Sequence, residues 1–273
     1  MTAPTQVGTE LHLEAAQRLH QAARDRMPCA PIRELLTADD PAAQVAFGYS
    51  VQRLLTEAAK ESGRRVVGAK IGLTSEAVQK QLGVDRPDFG VLFADMARFE
   101  DQPIEPADLL QPKIEAEVAF VLGADLDGPD LTLDQVRAAV DTAVAALEIV
   151  DSRIAGWDIR LVDTIADNAS SGLYVLGGDP RPLGELDLPG AAMTMTADGE
   201  VVSTGRGAAC LGDPCAALLW LARTAREFGA PLRAGDLVLS GALGPMVPVA
   251  ANTIYEATIG GLGTVRAAFG PPG

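Results

Sequence analysis

One apolar run with two carboxylates inside it, Ile114-Glu115-Ala116-Glu117-Val118-Ala119-Phe120-Val121-Leu122, limits most sharply what this chain can fold into. Its β-branched and aromatic residues suit a pleated surface, and strand side chains alternate faces, so Glu115 and Glu117 point the same way. Further on, Thr132 and Gln135 form a capping box, and Val136, Val140, Val144 and Leu147 follow at helical intervals. The spacing predicts a connecting helix, then a second strand beginning near Glu148 within the apolar stretch Ala143 to Val150. If the two strands are neighbours, Glu115, Glu117 and Glu148 converge in an apolar setting, where like charges repel strongly without a cation between them. That is the pattern of a divalent-metal site. Oxygen-only ligands favour Mg²⁺ or Mn²⁺, and so few carboxylates without a calcium-loop pattern argue against Ca²⁺. The plainer alternative is a solvated Glu-x-Glu pair with no role; the apolar flanks and the third glutamate count against it.

Composition narrows the function classes. With 273 residues, 48% hydrophobic and 22% charged, the chain is ordinary for a soluble globular protein and has ample material for a core. A formal charge of -15 without a Lys/Arg cluster speaks against nucleic acid or an anionic membrane as partner. No signal pattern and no bilayer-length apolar run is present, so the expectation is a cytoplasmic protein. Cys29, Cys210 and Cys215 lack Cys-x-x-Cys spacing and read as buried, inert thiols. The two histidines, His12 and His20, both fall in the N-terminal segment, which leaves none elsewhere for a triad or zinc site. Acid–base chemistry then falls to Lys, Asp, Glu, Tyr or metal-bound water. There is no Gly-x-Ser-x-Gly elbow, phosphate loop or dinucleotide fingerprint.

Residues 1–9 are polar and expected to fray. Leu11, Ala15, Leu19 and Ala22 mark a helix over 10–26, ended by Pro28 and Pro31. Asp40-Pro41 caps a second helix that stops at Gly63. Residues 1–63 thus read as a helical N-terminal cap segment and 64–273 as a metal-binding catalytic domain, the two forming one structural unit. In the predicted strand 64–72, Gly68, Lys70 and Gly72 share a face, so Lys70 projects from a side cleared by glycines. A snorkelling surface lysine is the plainer alternative. Thr74-Ser75 is predicted to cap a short helix ending at Gly83. Asp88 follows Pro87 at a turn into another strand and reads as a turn former or a proton carrier. Residues 152–172 are long and mixed, ending in a small polar turn, Asp167 to Gly172. The second half shows a strand at 173–176, a hairpin turning at Asp198-Gly199, a helix capped by Asp213-Pro214, and strands at 236–240, 253–259 and 264–269. Strands outnumber helices and do not alternate with them, which favours a β-rich α+β domain.

Taken together, Gly68-Ala69-Lys70-Ile71-Gly72-Leu73-Thr74-Ser75, Arg86-Pro87-Asp88-Phe89-Gly90, Pro112 to Glu117, Leu147 to Arg153, Ala166 to Gly172 and Ser240 to Val249 stand in an order that resembles the hydratase/decarboxylase family of the fumarylacetoacetate hydrolase superfamily. The resemblance covers nearly everything from residue 10 onward. It implies an α+β fold with a mixed β-roll core and homo-oligomers up to a pentamer of dimers. It implies Mg²⁺ or Mn²⁺ held by Glu115, Glu117 and Glu148, with Lys70 and Asp88 handling protons and Leu73, Thr74 and Ser170 binding substrate. Burial and the metal are expected to lower the Lys70 pKa. The activity implied is hydration of 2-hydroxypenta-2,4-dienoate to 4-hydroxy-2-oxopentanoate in aromatic meta-cleavage catabolism. In that pattern the sister decarboxylases carry a non-acidic residue where Asp88 stands. Alternatives are a 4-oxalocrotonate-type decarboxylase or a hydratase of longer dicarboxylates, for which Arg153, Arg160 or Arg206 would have to meet the second carboxylate, and a non-catalytic scaffold subunit. A partner pathway enzyme, an aldolase or decarboxylase, also fits the resemblance.

Overall fold

The computed structural model describes residues 5–37, 40–75, 79, 84 and 86–271. The expected fraying of 1–9 falls in part, and the short helix ending at Gly83 falls almost wholly, outside them.

The N-terminal segment carries α1 (Thr5–Asp25) and α2 (Pro41–Glu61). Asp40 caps α2 by accepting from the Ala42 N–H at 3.2 Å, as Asp-Pro predicts. Ala15, Leu19, Phe47 and Val51 from these helices pack with Ile154, Ile159, Val162 and Ala166. The last two belong to α4 (Leu161–Ala166).

A large mixed sheet follows. Its strands are β1 (Val66–Gly72), β2 (Asp88–Phe93), β3 (Ala97–Arg98), β4 (Lys113–Leu122), β5 (Val140–Val150), β6 (Ser171–Leu176), β7 (Arg181–Pro182), β10 (Leu237–Leu239) and β11 (Val247–Pro248). The main path runs β2-β1-β10-β4-β5-β6-β3, with β11 pairing β4 and β7 pairing β5. A second sheet is ordered β13-β12-β8-β9, from β8 (Ala192–Ala197), β9 (Glu200–Arg206), β12 (Ile254–Ile259) and β13 (Gly263–Ala268). The β8–β9 turn is the expected Asp198-Gly199 pair, with φ of 49° and 88°, the left-handed geometry that Asp-Gly favours.

The β4–β5 ladder organises the core. On one face Ile114, Ala116, Val118, Phe120, Ala145, Leu147 and Ile149 are buried against Met193, Met195, Ala257 and Val265 of the second sheet and Leu218 and Leu221 of α5 (Pro214–Glu227). Burying each large apolar side chain contributes about 1.5–3 kcal/mol. The opposite face is apolar at one end, with Ala119, Val144, Ala146 and Leu239. At the other end it carries glutamates.

One expectation is corrected here. The capping box is present, with Gln135 N–H donating to Thr132 Oγ1 at 3.3 Å and Thr132 N–H to Gln135 Oε1 at 2.8 Å. Yet the helix it opens, α3 (Leu133–Ala139), is short, and Val140, Val144 and Leu147 lie on β5 instead. Valines and alanines at intervals of three and four satisfy a helix or a strand buried on both faces alike. The long partner β4 decides, because its backbone groups need a ladder of equal length. Among the described residues no helix is long and apolar enough to cross a membrane.

Candidate active site

Cross-strand register builds the site. Glu115 lies directly opposite Glu148 in the antiparallel β4–β5 ladder, and Glu117 is two residues along on the same face. Each of the three places a carboxylate oxygen within 4.8 Å of the others. They are 7%, 1% and 0% exposed for Glu115, Glu148 and Glu117, which removes the solvated-pair alternative. Glu117 Oε2 accepts the Gly241 N–H at 2.7 Å. Glu117 Oε1 and both Glu148 oxygens have no hydrogen-bond donor.

Lys70 and Asp88 arrive from the antiparallel pair β1 and β2, across β10 from β4, and are 2% and 0% exposed, so Lys70 is not a snorkelling surface residue. Lys70 Nζ lies 3.1 Å from Glu148 Oε1, close enough for an ion pair though not aligned as a hydrogen bond. Asp88 Oδ2 accepts the Thr164 hydroxyl at 2.9 Å, while Asp88 Oδ1 has no donor. Gly72 sits opposite Asp88 in the β1–β2 ladder. A Cβ there would lie 2.2 Å from Asp88 Oδ1 and 3.7 Å from Lys70 Nζ. Only a residue without a side chain lets those two groups border the same small space.

The electrostatics follow from burying four carboxylates around one ammonium. Burial, then repulsion from Glu148, pushes the Glu115 carboxyl up to about 7. Burial and the other two glutamates raise Glu117 well above the usual range. Burial raises Glu148 and Asp88 against the opposing pull of Lys70. For Lys70 burial acts downward, but Glu148, Glu115, Asp88 and Glu117 outweigh it and hold the ammonium charged, above its ordinary value. With no cation among the glutamates, burial alone therefore does not lower the Lys70 pKa; the lowering expected of burial and metal together would need a cation to offset those carboxylates. Three buried carboxylates, two of them with unpartnered oxygens, are costly unless positive charge lies among them. An all-oxygen donor set of this kind fits a hard divalent cation such as Mg²⁺ or Mn²⁺.

A cleft opens beside this cluster, lined by Lys70, Asp88 and Glu115 together with Leu73, Thr74 and Ser170. Thr74 Oγ1 and Ser170 Oγ are buried without partners, so both are available to a ligand. Ser170 is presented by a run of left-handed backbone, Asn168, Ala169 and Ser170, with φ of 55°, 51° and 52°, within the polar turn the sequence marks. Val150, Trp157, Ile159 and Met246 form an apolar wall. Arg153, Arg160 and Arg206 do not line the cleft. The guanidinium of Arg153 is instead bound to Asp167. Cys210 and Cys215 are buried, with burial pushing both thiols up to about 12, while Cys29 is half-buried. Thr164 was not legible beforehand, because nothing in the mixed segment 152–172 distinguishes its hydroxyl from any other.

The chain is 56% identical to a protein named "TodF product hydratase" from Pseudomonas putida, over 94% of each chain. It is 53% identical to a "2-keto-4-pentenoate hydratase" from Burkholderia vietnamiensis, over 93% of this chain and 95% of that one. Among solved structures it resembles a 4-oxalocrotonate decarboxylase from Pseudomonas putida complexed with magnesium and adipate, with 32% identity, a TM-score of 0.90, and 96% and 98% of the two chains covered. Residues 49–269 match the model of the fumarylacetoacetate (FAA) hydrolase C-terminal family. With its curled mixed sheet, its helical N-terminal segment and this match over most of its length, the chain belongs to the fumarylacetoacetate hydrolase C-terminal family.

Proposed function

We propose that this protein is a metal-dependent hydro-lyase that converts 2-hydroxypenta-2,4-dienoate to 4-hydroxy-2-oxopentanoate in the breakdown of aromatic ring-cleavage products. The observation that carries the reading is the meeting of Lys70, Asp88 and three glutamates in one buried cleft, in a chain more than half identical to relatives named as hydratases. Glu115, Glu117 and Glu148 would hold Mg²⁺ or Mn²⁺, which supplies Lewis acidity toward the substrate's carboxylate and 2-oxygen.

The remaining work is proton handling. The dienol loses its 2-hydroxyl proton and gains one at C5; water then bonds to C4 while C3 takes a proton. Lys70, which lines the cleft beside Glu115 and Asp88, is suited to deliver a proton to carbon. Asp88 Oδ1, which has no donor, is suited to accept one from water. Thr74 and Ser170 hydroxyls would orient the substrate's polar end, with Leu73 beside them, and Trp157, Ile159 and Met246 would exclude bulk water from the reacting carbons.

Against a dicarboxylate substrate stands the lining itself. Lys70 is the single cation among the described residues that line the cleft, and it already faces Glu148. A scaffold without turnover has no physical need for so costly a charge cluster. In this reading the helical segment 1–63 and the domain 64–273 work as one unit in the cytoplasm, as homo-oligomers up to a pentamer of dimers, with a pathway enzyme as possible partner. Exposed Met27, Phe99 and Val201 are apolar side chains an interface would cover.

The test is ultraviolet absorbance of freshly generated 2-hydroxypenta-2,4-dienoate mixed with the protein and Mg²⁺ or Mn²⁺, repeated after EDTA. The expected result is metal-dependent loss of the dienol signal with 4-hydroxy-2-oxopentanoate as product. An unchanged signal in the presence of metal would reject this substrate.

A further inference from the structure

Asp88 is held from behind by residues that never reach the cluster of glutamates. Thr164 donates to Asp88 Oδ2 at 2.9 Å, which leaves Oδ1 as the oxygen turned toward the space it shares with Lys70. Thr164 sits on α4, a helix of 6 residues, too short to be stable on its own. Something outside must hold it.

That support comes from α2. The carboxamide of Gln52, 4% exposed, donates to Phe89 O at 2.8 Å and to Ile165 O at 3.0 Å. Phe89 is the residue after Asp88, and Ile165 is the residue after Thr164. A single side-chain amide thus ties together the two backbone segments that carry the donor and the acceptor. The Ile165 carbonyl lies in the last turn of α4, where helices leave carbonyls without internal partners. One turn earlier on α2, a Cβ at Gly48 would meet Ile165 Cγ2 at 2.9 Å and Val162 O at 3.2 Å, so the two helices approach as closely as a glycine permits.

We propose that Thr164, locked in place by Gln52, is a positioning residue that commits Asp88 Oδ2 to a fixed hydrogen bond and reserves Oδ1 for the substrate's water. The inference rests on the proton-accepting role given to Asp88 above. In this proposal a carboxylate freed from Thr164 swings toward the Lys70 ammonium, whose charge already acts on it, and the resulting pair would tie up both proton-handling groups. The N-terminal helical segment is by this route part of the active site's support.

The experiment is a mutant cycle with Mn²⁺ present. Thr164→Val keeps the shape and removes the donor, Thr164→Ser keeps the donor, and Gln52→Leu removes the tie. Thr164→Val is expected to lower kcat by about 10- to 100-fold, up to the lower edge of general acid–base contributions because Asp88 itself remains, while KM and Mn²⁺ affinity stay the same. Thr164→Ser is expected to recover activity to within about threefold, and Gln52→Leu to lose about tenfold, with the same split between kcat and KM. In an Asp88→Asn background the Thr164→Val loss should shrink to less than about twofold, since partners in one network are not additive. Equal losses in both backgrounds, or no loss in either, would overturn the proposal. Crystals of the Thr164→Val protein with Mn²⁺ should show the Asp88 carboxylate rotated and the three glutamates unmoved; an unrotated Asp88 would also overturn it. If the wild-type protein does not turn over the dienoate, the hydratase reading fails, and the Asp88 orientation in those crystals still decides the positioning role.

Discussion

Two of the buried charge clusters among the described residues are finished to different degrees. In one, Asp167 is paired with the Arg153 guanidinium and also receives the Arg153 N–H at 3.0 Å and the Ser152 hydroxyl at 3.3 Å. Arg153 Nη1 goes on to donate to Ser171 O at 2.8 Å. Burial still lifts the Asp167 carboxyl to about 6, the arginine pulling the other way. In the other cluster, three glutamates face each other, Glu117 and Glu148 with orphaned oxygens, and one lysine balances them. The first is complete within the chain and holds the backbone between β5 and β6. The second becomes electrostatically complete only with a ligand, which is what separates a structural ion pair from a reactive centre.

The largest expected effect breaks the incomplete cluster. Glu117→Gln retains an acceptor for the Gly241 N–H but removes one metal-ligating charge. Activity at limiting Mn²⁺ should fall by about 1,000-fold or more, equivalent to about 4 kcal/mol, as read from initial rates across a metal titration. Melting in EDTA should be unchanged or higher, because one buried charge is gone. A variant that bound and used Mn²⁺ normally would contradict the assignment of Glu117 as a ligand.

The complete cluster should answer in the opposite currency. Arg153→Ala strands the Asp167 carboxylate and is expected to destabilise the protein by about 3–5 kcal/mol, measured by urea unfolding at saturating metal. Mn²⁺ affinity of the folded fraction should stay within about threefold of the parent. Loss of metal affinity without loss of stability would reverse the contrast drawn here.

The smallest effect sharpens the comparison by pH. With no cation present, Glu115 titrates near 7, against 4.5 when unperturbed. Between those values the folded state binds more protons than the unfolded one. Its contribution to stability is therefore full below about pH 4.5 and is lost as pH rises through about 7. Melting temperature in EDTA should accordingly fall as pH rises through the upper part of that window. Mn²⁺ competes with those protons and should flatten the trend; a slope identical with and without Mn²⁺ would count against a metal held at Glu115.

Much of this was legible in the chain because local rules and tertiary demands agreed. Alternation along 114–122 put Glu115 and Glu117 on one face, Asp-Pro and Asp-Gly marked caps and a turn, and glycines beside Lys70 announced a close approach. Where the two kinds of demand diverged, the reading failed. Val140, Val144 and Leu147 carry a helical rhythm, but β5 is buried on both sides from Ala143 to Val150, where apolar residues occupy nearly every position and periodicity carries little information. Burial of Lys70 is foreshadowed by its glycine neighbours in sequence, whereas the charge balance around it depends on carboxylates brought from β2, β4 and β5. Gln52 and Thr164, over a hundred residues apart in the chain, meet through Ile165 in a way no spacing rule encodes.

The pairing of Glu115 with Glu148 ties the metal to the correctness of folding. Because strand side chains alternate, sliding β5 by a single residue along β4 would send Glu148 into the apolar core and leave two glutamates behind. A mispaired chain would thus lack a full set of ligands, and the cation would reward the native alignment alone. At a free concentration one hundred times its dissociation constant, that preference is about 2.7 kcal/mol. An ion held by these three glutamates would then proofread strand alignment as well as serve the chemistry.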